Sequence, residues 1–234
     1  MPSDRLFDIA GYIFPLFSVS QTPSELQVHR FLGTGFWIDR HGYFLTCKHV
    51  LEGVEEGQLP AIGQPFSGKP DYYIPVLQST AHARFDIAVG RAPESKVSGV
   101  LRIYSGIFGL GVDVQAFGFT DAGKVGNHFQ LDVRLLRGYV SRHSDDALGL
   151  PSPSLLEVSF GSPSGFSGTP LLVNTEVVGV LYRNVESKLE SYSVSETVDS
   201  KTEFREVAYR IYEYGVAHRF AELVPFLKDC GASI

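Results

Sequence analysis

Three short stretches of this chain carry residue types suited to nucleophilic acyl transfer. GYFLTCKHV is an apolar strand pattern ending in His49. RFDIAVGRA places Asp86 at the mouth of a second apolar strand, and SPSGFSGTP places Ser167 between glycines. A serine hydroxyl becomes a useful nucleophile only when an imidazole takes its proton and a carboxylate holds that imidazole in orientation. The reaction also needs two N–H donors for the oxyanion. Gly165 lets the backbone turn sharply and expose its N–H, so the N–H groups of Gly165 and Ser167 can converge on one oxygen. Taken singly, each residue has a blander reading: a polar histidine at a strand end, the first residue of a strand, a serine in a turn. Cys47, two residues before His49, reads as a small buried side chain and not as a thiol nucleophile. His82 and His218 read as structural or surface residues.

The three segments are far apart in sequence, so the fold must bring them together. With 24 Gly and 13 Pro among 234 residues, and many Val, Tyr and Phe, the composition favours short strands joined by tight turns. HRFLGTGFWIDRHGYFLTCKHV reads as two strands joined by a turn at Asp39–Gly42. DYYIPVLQST and FDIAVGRA continue the pattern, and YSGIFGLGVD (104–113) reads as a crossover. VQAFGFT, HFQLDVRLLRGYVSRH, SLLEVSF and TPLLVNTEVVGVLYRN repeat the rhythm. The spacing predicts an all-β barrel or sandwich with one helix, over about 216–230, where Ala217, Phe220, Leu223, Val224 and Leu227 fall on one face. The polar stretch 185–207 is expected to be a long mobile surface loop or hairpin extension.

These motifs resemble the chymotrypsin-like (trypsin-fold) serine peptidases, in particular the bacterial trypsin-like branch with the HtrA-type proteases. That family carries a strand ending in Thr-x-x-His, an Asp-Ile-Ala-Val-like strand and a Gly-x-Ser-Gly-x-Pro turn. FLGTGFWID, VQAFGFT, RGYVS and VVGVLYRN match its flanking strands, so the likeness runs from about residue 25 to 230. The resemblance implies an all-β fold of two six-stranded antiparallel β-barrels, near 7–105 and 112–215, with a C-terminal α-helix over about 216–230. Together these form a single peptidase domain over 1–234. It implies a serine endopeptidase in which Ser167 is the nucleophile, His49 the general base and acid, and Asp86 the residue that orients His49. The N–H groups of Gly165 and Ser167 form the oxyanion hole. The substrate pocket falls to Gly161, Ser162, Tyr182, Asn184 and Gly215, with no carboxylate at its floor position. Thr169 stands where the family usually has a second glycine. Phe166 replaces the acidic residue that pairs with a freed N-terminal amine in zymogen-type relatives, so activation by N-terminal cleavage is not expected.

Other classes fit less well. An α/β-hydrolase elbow needs Gly at position 169 and a helix after the turn, whereas Pro170 leads into a strand pattern. The non-enzyme alternative is a catalytically silent binding module of the same fold. A net charge of −6 without basic clusters argues against nucleic acid. No apolar run is long enough to span a bilayer, and the N-terminus lacks the basic region and cleavage site of a signal peptide. Cys47 and Cys230 can form one bridge at most, and a reducing, cytoplasmic setting is expected. The expected partner is a polypeptide substrate, with a regulatory protein contacting 185–207. No metal or cofactor is expected.

Overall fold

The run IFPLFSVSQ forms β1 (Ile13–Gln21), whose first seven residues are buried without alternation. Its position explains this, since β1 lies between β2 (Leu26–Trp37) and β4 (Leu59–Gly63) in the first sheet. The structure is a computed structural model and describes residues 11–21, 26–64, 73–104, 106–125, 128–144, 155–199 and 202–234. Residues 7–10 of the expected first barrel, the start of DYYIPVLQST and residue 105 of the expected crossover lie outside them. Pro15 sits just beyond the last β1–β4 pair, Leu16 with Ile62, where a missing N–H breaks no ladder bond on that side.

The other strands of this sheet are β3 (Tyr43–Thr46), β5 (Tyr73–Pro75), β6 (Gln78–Ala81) and β7 (Ala88–Arg91), in the order β5-β4-β1-β2-β3-β7-β6. Only Val76 and Leu77 separate β5 from β6. The Val76 N–H bonds to Pro60 O on β4, and the Leu77 N–H to Arg91 O on β7. Thus β5 and β6 act as one bent strand that joins the two ends of the sheet and closes a six-strand barrel.

The second sheet contains β8 (Arg102–Ile103), β9 (Asp113–Val125), β10 (His128–Ser144), β11 (Leu155–Val158), β12 (Pro170–Val173), β13 (Glu176–Asp199) and β14 (Thr202–Arg219). Its order is β12-β9-β10-β11-β14-β13-β8, and β12 also pairs with β13, which closes a ring of six. The short β8 adds in parallel to β13 outside that ring. The all-β, two-barrel expectation is therefore met.

One boundary differs from the sequence reading. The C-terminal helix, α2, spans Phe220–Asp229 and does not begin at 216. Val216, Ala217 and His218 remain in β14 because they pair with β11 on one side and β13 on the other. Of the two expectations for 185–207, a loop or a hairpin extension, the described residues show the second: β13 and β14 stay paired from Gly179–Arg219 out to Asp199–Thr202. Among the described side chains of the ribbon beyond the barrel, Leu189, Tyr192, Tyr209 and Ile211 are exposed. The segment lacks the period-two hydrophobic signal that marks a strand in sequence. Among the described residues no helix is long and apolar enough to cross a membrane.

A core shared by both sheets contains Ile13, Phe36, Phe119, Leu172 and Val180, and α2 contributes Phe220, Leu223 and Leu227 to it. Asp39 anchors the end of the chain to the same region. This buried carboxylate accepts the N–H groups of His41 (2.9 Å) and Tyr43 (3.0 Å) across the β2–β3 turn, and that of Ser233 (2.9 Å). Hydrogen bonds to a charged group each contribute about 1.5–3 kcal/mol, and unpaired buried donors add a penalty. Asp39→Ala should therefore lower unfolding stability by about 2–4 kcal/mol, more than Asp39→Asn, as measured by urea denaturation.

Candidate functional site

β3 ends at Thr46, and the chain turns through Cys47 into a one-turn helix, α1 (Lys48–Glu52), which carries His49. Asp86 lies in the turn before β7. That turn is shaped by His82, whose Nδ1 accepts the N–H groups of Arg84 and Phe85, and whose ring stacks on Phe85 at 4.2 Å. The two sequence candidates meet here. His49 Nδ1 lies 2.6 Å from Asp86 Oδ2, and the His49 backbone N–H donates to Asp86 Oδ1 at 3.0 Å. A carboxylate facing Nδ1 assigns the proton of the neutral ring to that nitrogen and leaves Nε2 as an acceptor. Burial pushes the Asp86 carboxyl upward. The His49 hydrogen bonds and the charges of His49 and His218 outweigh that effect and hold it below the usual carboxylate range.

Cys47 Sγ is near this pair, and the ligand atoms of Cys47, His49 and Asp86 lie within 4.8 Å of one another. Burial, with the Asp86 charge, pushes the Cys47 thiol well above its ordinary pKa, and the thiol donates to Leu181 O at 3.3 Å. A divalent ion would need the thiolate, so this donor set does not fit a metal centre.

The segment bearing Ser167 is fixed at nearly every peptide. Gly165 has φ +95°, and the Phe166 N–H bonds to Pro163 O across the turn. Thr34 Oγ1 donates to Gly165 O at 2.9 Å, and the Thr34 N–H donates to Ser167 O at 2.9 Å. Gly168 has φ +87°, and a Cβ there would lie 2.1 Å from Thr34 O and 2.4 Å from Thr46 Oγ1, so no side chain fits. This contact seats the serine loop against the end of β3, three residues before His49. The Gly168 N–H donates to Leu181 O at 2.8 Å, and the Leu181 N–H donates to Thr169 O at 2.9 Å. Phe166 is fully buried in the core of the second sheet. Among the described residues, the N–H groups of Gly165 and Ser167 have no protein acceptor, and Ser167 Oγ makes no hydrogen bond to the imidazole.

Thr169 is also fully buried, and Gly118 accommodates it: a Cβ on Gly118 would lie 2.5 Å from Thr169 Oγ1. The expected pocket residues are partly assembled. Asn184 pairs with Gly215 across the β13–β14 ladder, and its side-chain amide bonds to the backbone of Ser162. The Gly215 N–H donates to Phe160 O, and Gly161 faces the carboxylate of Glu213. The Tyr182 ring stacks on His218 at 4.1 Å.

The sequence profile of the trypsin-like peptidase domain matches residues 33–180, more than half of the chain, and spans all three candidate segments. The chain belongs to the trypsin-like peptidase domain family. No curated protein matches this trypsin-like peptidase. Its fold is similar to that of the Rv3671c protease from M. tuberculosis in its active form, with a TM-score of 0.62 and 16% identity, over 99% of this chain and 86% of that one. The HtrA-type protease AlgW with a decapeptide gives a TM-score of 0.61 at 15% identity, over 97% of this chain and 66% of that one. A serine endoprotease from Yersinia pestis gives 0.56 at 16% identity, over 78% of this chain and 58% of that one. The chain thus spans about two thirds or less of the latter two.

Two residues of this trypsin-like peptidase escape sequence reasoning. Thr34 is hidden in FLGTGFW, where the flanking glycines draw attention to strand geometry and not to the hydroxyl. His218, expected to be structural or surface, is 4% exposed and stacked on Tyr182 and Phe85, and neither ring nitrogen has a partner. Burial pushes its pKa down to about 4, against the opposing pull of Asp86.

A depressed histidine makes the unfolded chain the stronger proton binder. The stability from keeping His218 neutral is full above about pH 6.5 and is lost as pH falls towards about 4, on the order of 3 kcal/mol in the limit. The melting temperature should therefore fall between pH 7 and 4.5, and His218→Phe should flatten that slope. Thr34→Val keeps the shape and removes the hydroxyl, leaving Gly165 O unpaired. It should destabilise by about 1–3 kcal/mol in denaturant titrations.

Proposed function

We propose that this trypsin-like serine protease cleaves polypeptides through an acyl-enzyme, with Ser167 as nucleophile, His49 as general base and acid, and Asp86 orienting His49. The observation that carries this reading is the two-point His49–Asp86 pairing, with Nε2 left as an acceptor beside a rigidly held serine loop. Ser167 Oγ attacks the scissile carbonyl and gives its proton to His49 Nε2, while Asp86 stabilises the imidazolium. The oxygen of the tetrahedral intermediate takes hydrogen bonds from the N–H groups of Gly165 and Ser167. His49 then protonates the leaving amine, and water, deprotonated by the same imidazole, releases the acyl group from Ser167. No step calls on a metal or cofactor.

The second reading is a silent binding module of the same fold. It is favoured by the absence of a Ser167–His49 hydrogen bond. Such bonds are often long without substrate and tighten in the Michaelis complex, so the catalytic reading stands ahead. We read the chain as one peptidase domain over 1–234. Two free thiols, at Cys47 and Cys230, support a reducing, cytoplasmic setting. The exposed ribbon is the surface on which we place a regulatory protein partner.

Wild-type protein should be labelled at Ser167 by a fluorophosphonate and should hydrolyse peptide amides. Ser167→Ala should lose both, with a fall on the order of 10⁶ in kcat, while its melting curve is retained. Peptide cleavage by Ser167→Ala would overturn the assignment.

A further inference from the structure

The segment that leads into Ser167 runs beside β13 and is tied to it at two points. At the near end the Gly168 N–H donates to Leu181 O at 2.8 Å. At the far end Asn184 Oδ1 accepts the Ser162 N–H at 2.5 Å, and Asn184 Nδ2 donates to Ser162 O at 2.8 Å. Leu181 and Asn184 are three residues apart on a strand, a span of about 10 Å. Between the ties lies the turn that presents the N–H groups of Gly165 and Ser167. A substrate whose carbonyl sits on those donors has the slot between the two ties beside it. The near tie holds the nucleophile in place, and the far tie is a side chain crossing the slot.

We infer that Asn184 restricts cleavage to bonds that follow a small, uncharged residue such as alanine or serine, a reading that rests on the serine peptidase function proposed above. Both polar ends of the Asn184 amide are already engaged by one residue, so it closes the slot and offers no free group to a polar side chain. A large side chain must displace both hydrogen bonds to enter. Beyond the tie, Gly161 faces Glu213, which pairs with Glu186 across the ribbon. A lysine or arginine reaches that carboxylate only after the tie is broken, so Glu213 does not by itself confer a basic preference.

The test uses a peptide set that differs only in the residue before the scissile bond: Ala, Ser, Phe or Lys. Wild type should favour Ala and Ser over Phe and Lys by roughly 50-fold or more in kcat/KM. Asn184→Gly should narrow the Ala-to-Phe ratio to less than about tenfold, chiefly by raising kcat/KM for Phe. Asn184→Ala, which removes the same amide with less backbone freedom, should shift the ratio in the same direction, and melting curves check that both variants fold. Fluorophosphonate labelling of the wild type separates the two claims. Labelling at Ser167 with equal cleavage after Ala and Phe overturns the Asn184 assignment and leaves the peptidase reading intact. Preferred cleavage after Lys, lost in Glu213→Gln, overturns it in favour of Glu213. Neither labelling nor cleavage removes the peptidase reading and this inference with it.

Discussion

Every polar atom of Thr34 is committed, and two of the three reach across the seam between the two sheets. Its N–H holds Ser167 O, its hydroxyl holds Gly165 O and accepts from the Phe119 N–H, and its carbonyl accepts from Thr46 Oγ1. β2 is thereby joined to β9, to the serine loop and to the strand that delivers His49. The residue is fully buried, so none of these bonds competes with water. The other features of the site follow from this junction. Gly168 must lack a side chain because Thr34 O and Thr46 Oγ1 occupy that space, and the Gly165 carbonyl is turned inward onto the Thr34 hydroxyl.

The surroundings of Asp86 show a polar pair set into an otherwise apolar wall. Burial keeps Cys47 protonated and pushes the His218 pKa down, so His49, with two hydrogen bonds, is the chief partner of the carboxylate. His218 sits on the Tyr182 ring and carries two unsatisfied nitrogens, a cost that packing alone does not explain. Phe166 works in the same direction on the serine side. Where zymogen-type relatives use an ion pair, this chain holds the loop with a phenyl ring in the core of the second sheet.

The chemistry-bearing segments were legible because each joins a strand pattern to a single marked residue, as in FLTCKHV, FDIAVG and GFSGTP. Bonds that depend on register were not. Asn184 faces Ser162 only because the ladder slips between Leu181 and Arg183, leaving Tyr182 as the extra residue. No periodicity in VLYRN signals that bulge. Glu213 lies beside Gly161 through the pairing of β14 with the end of β11, another contact that spacing alone does not reveal. Ala217 fits the apolar face of a helix in sequence, yet it packs inside the barrel, because pairing on both sides of β14 overrides the helical spacing.

The Thr34–Gly165 bond joins residues 131 positions apart, and loop closures of that span form late in folding. Chains are synthesised from the N-terminus, and the first sheet with its His49–Asp86 pair is complete long before residue 167 exists. The ring of the second sheet cannot close until β13 and β14 have been added. The serine loop is therefore the last piece to be seated, after the strands on both sides of it exist.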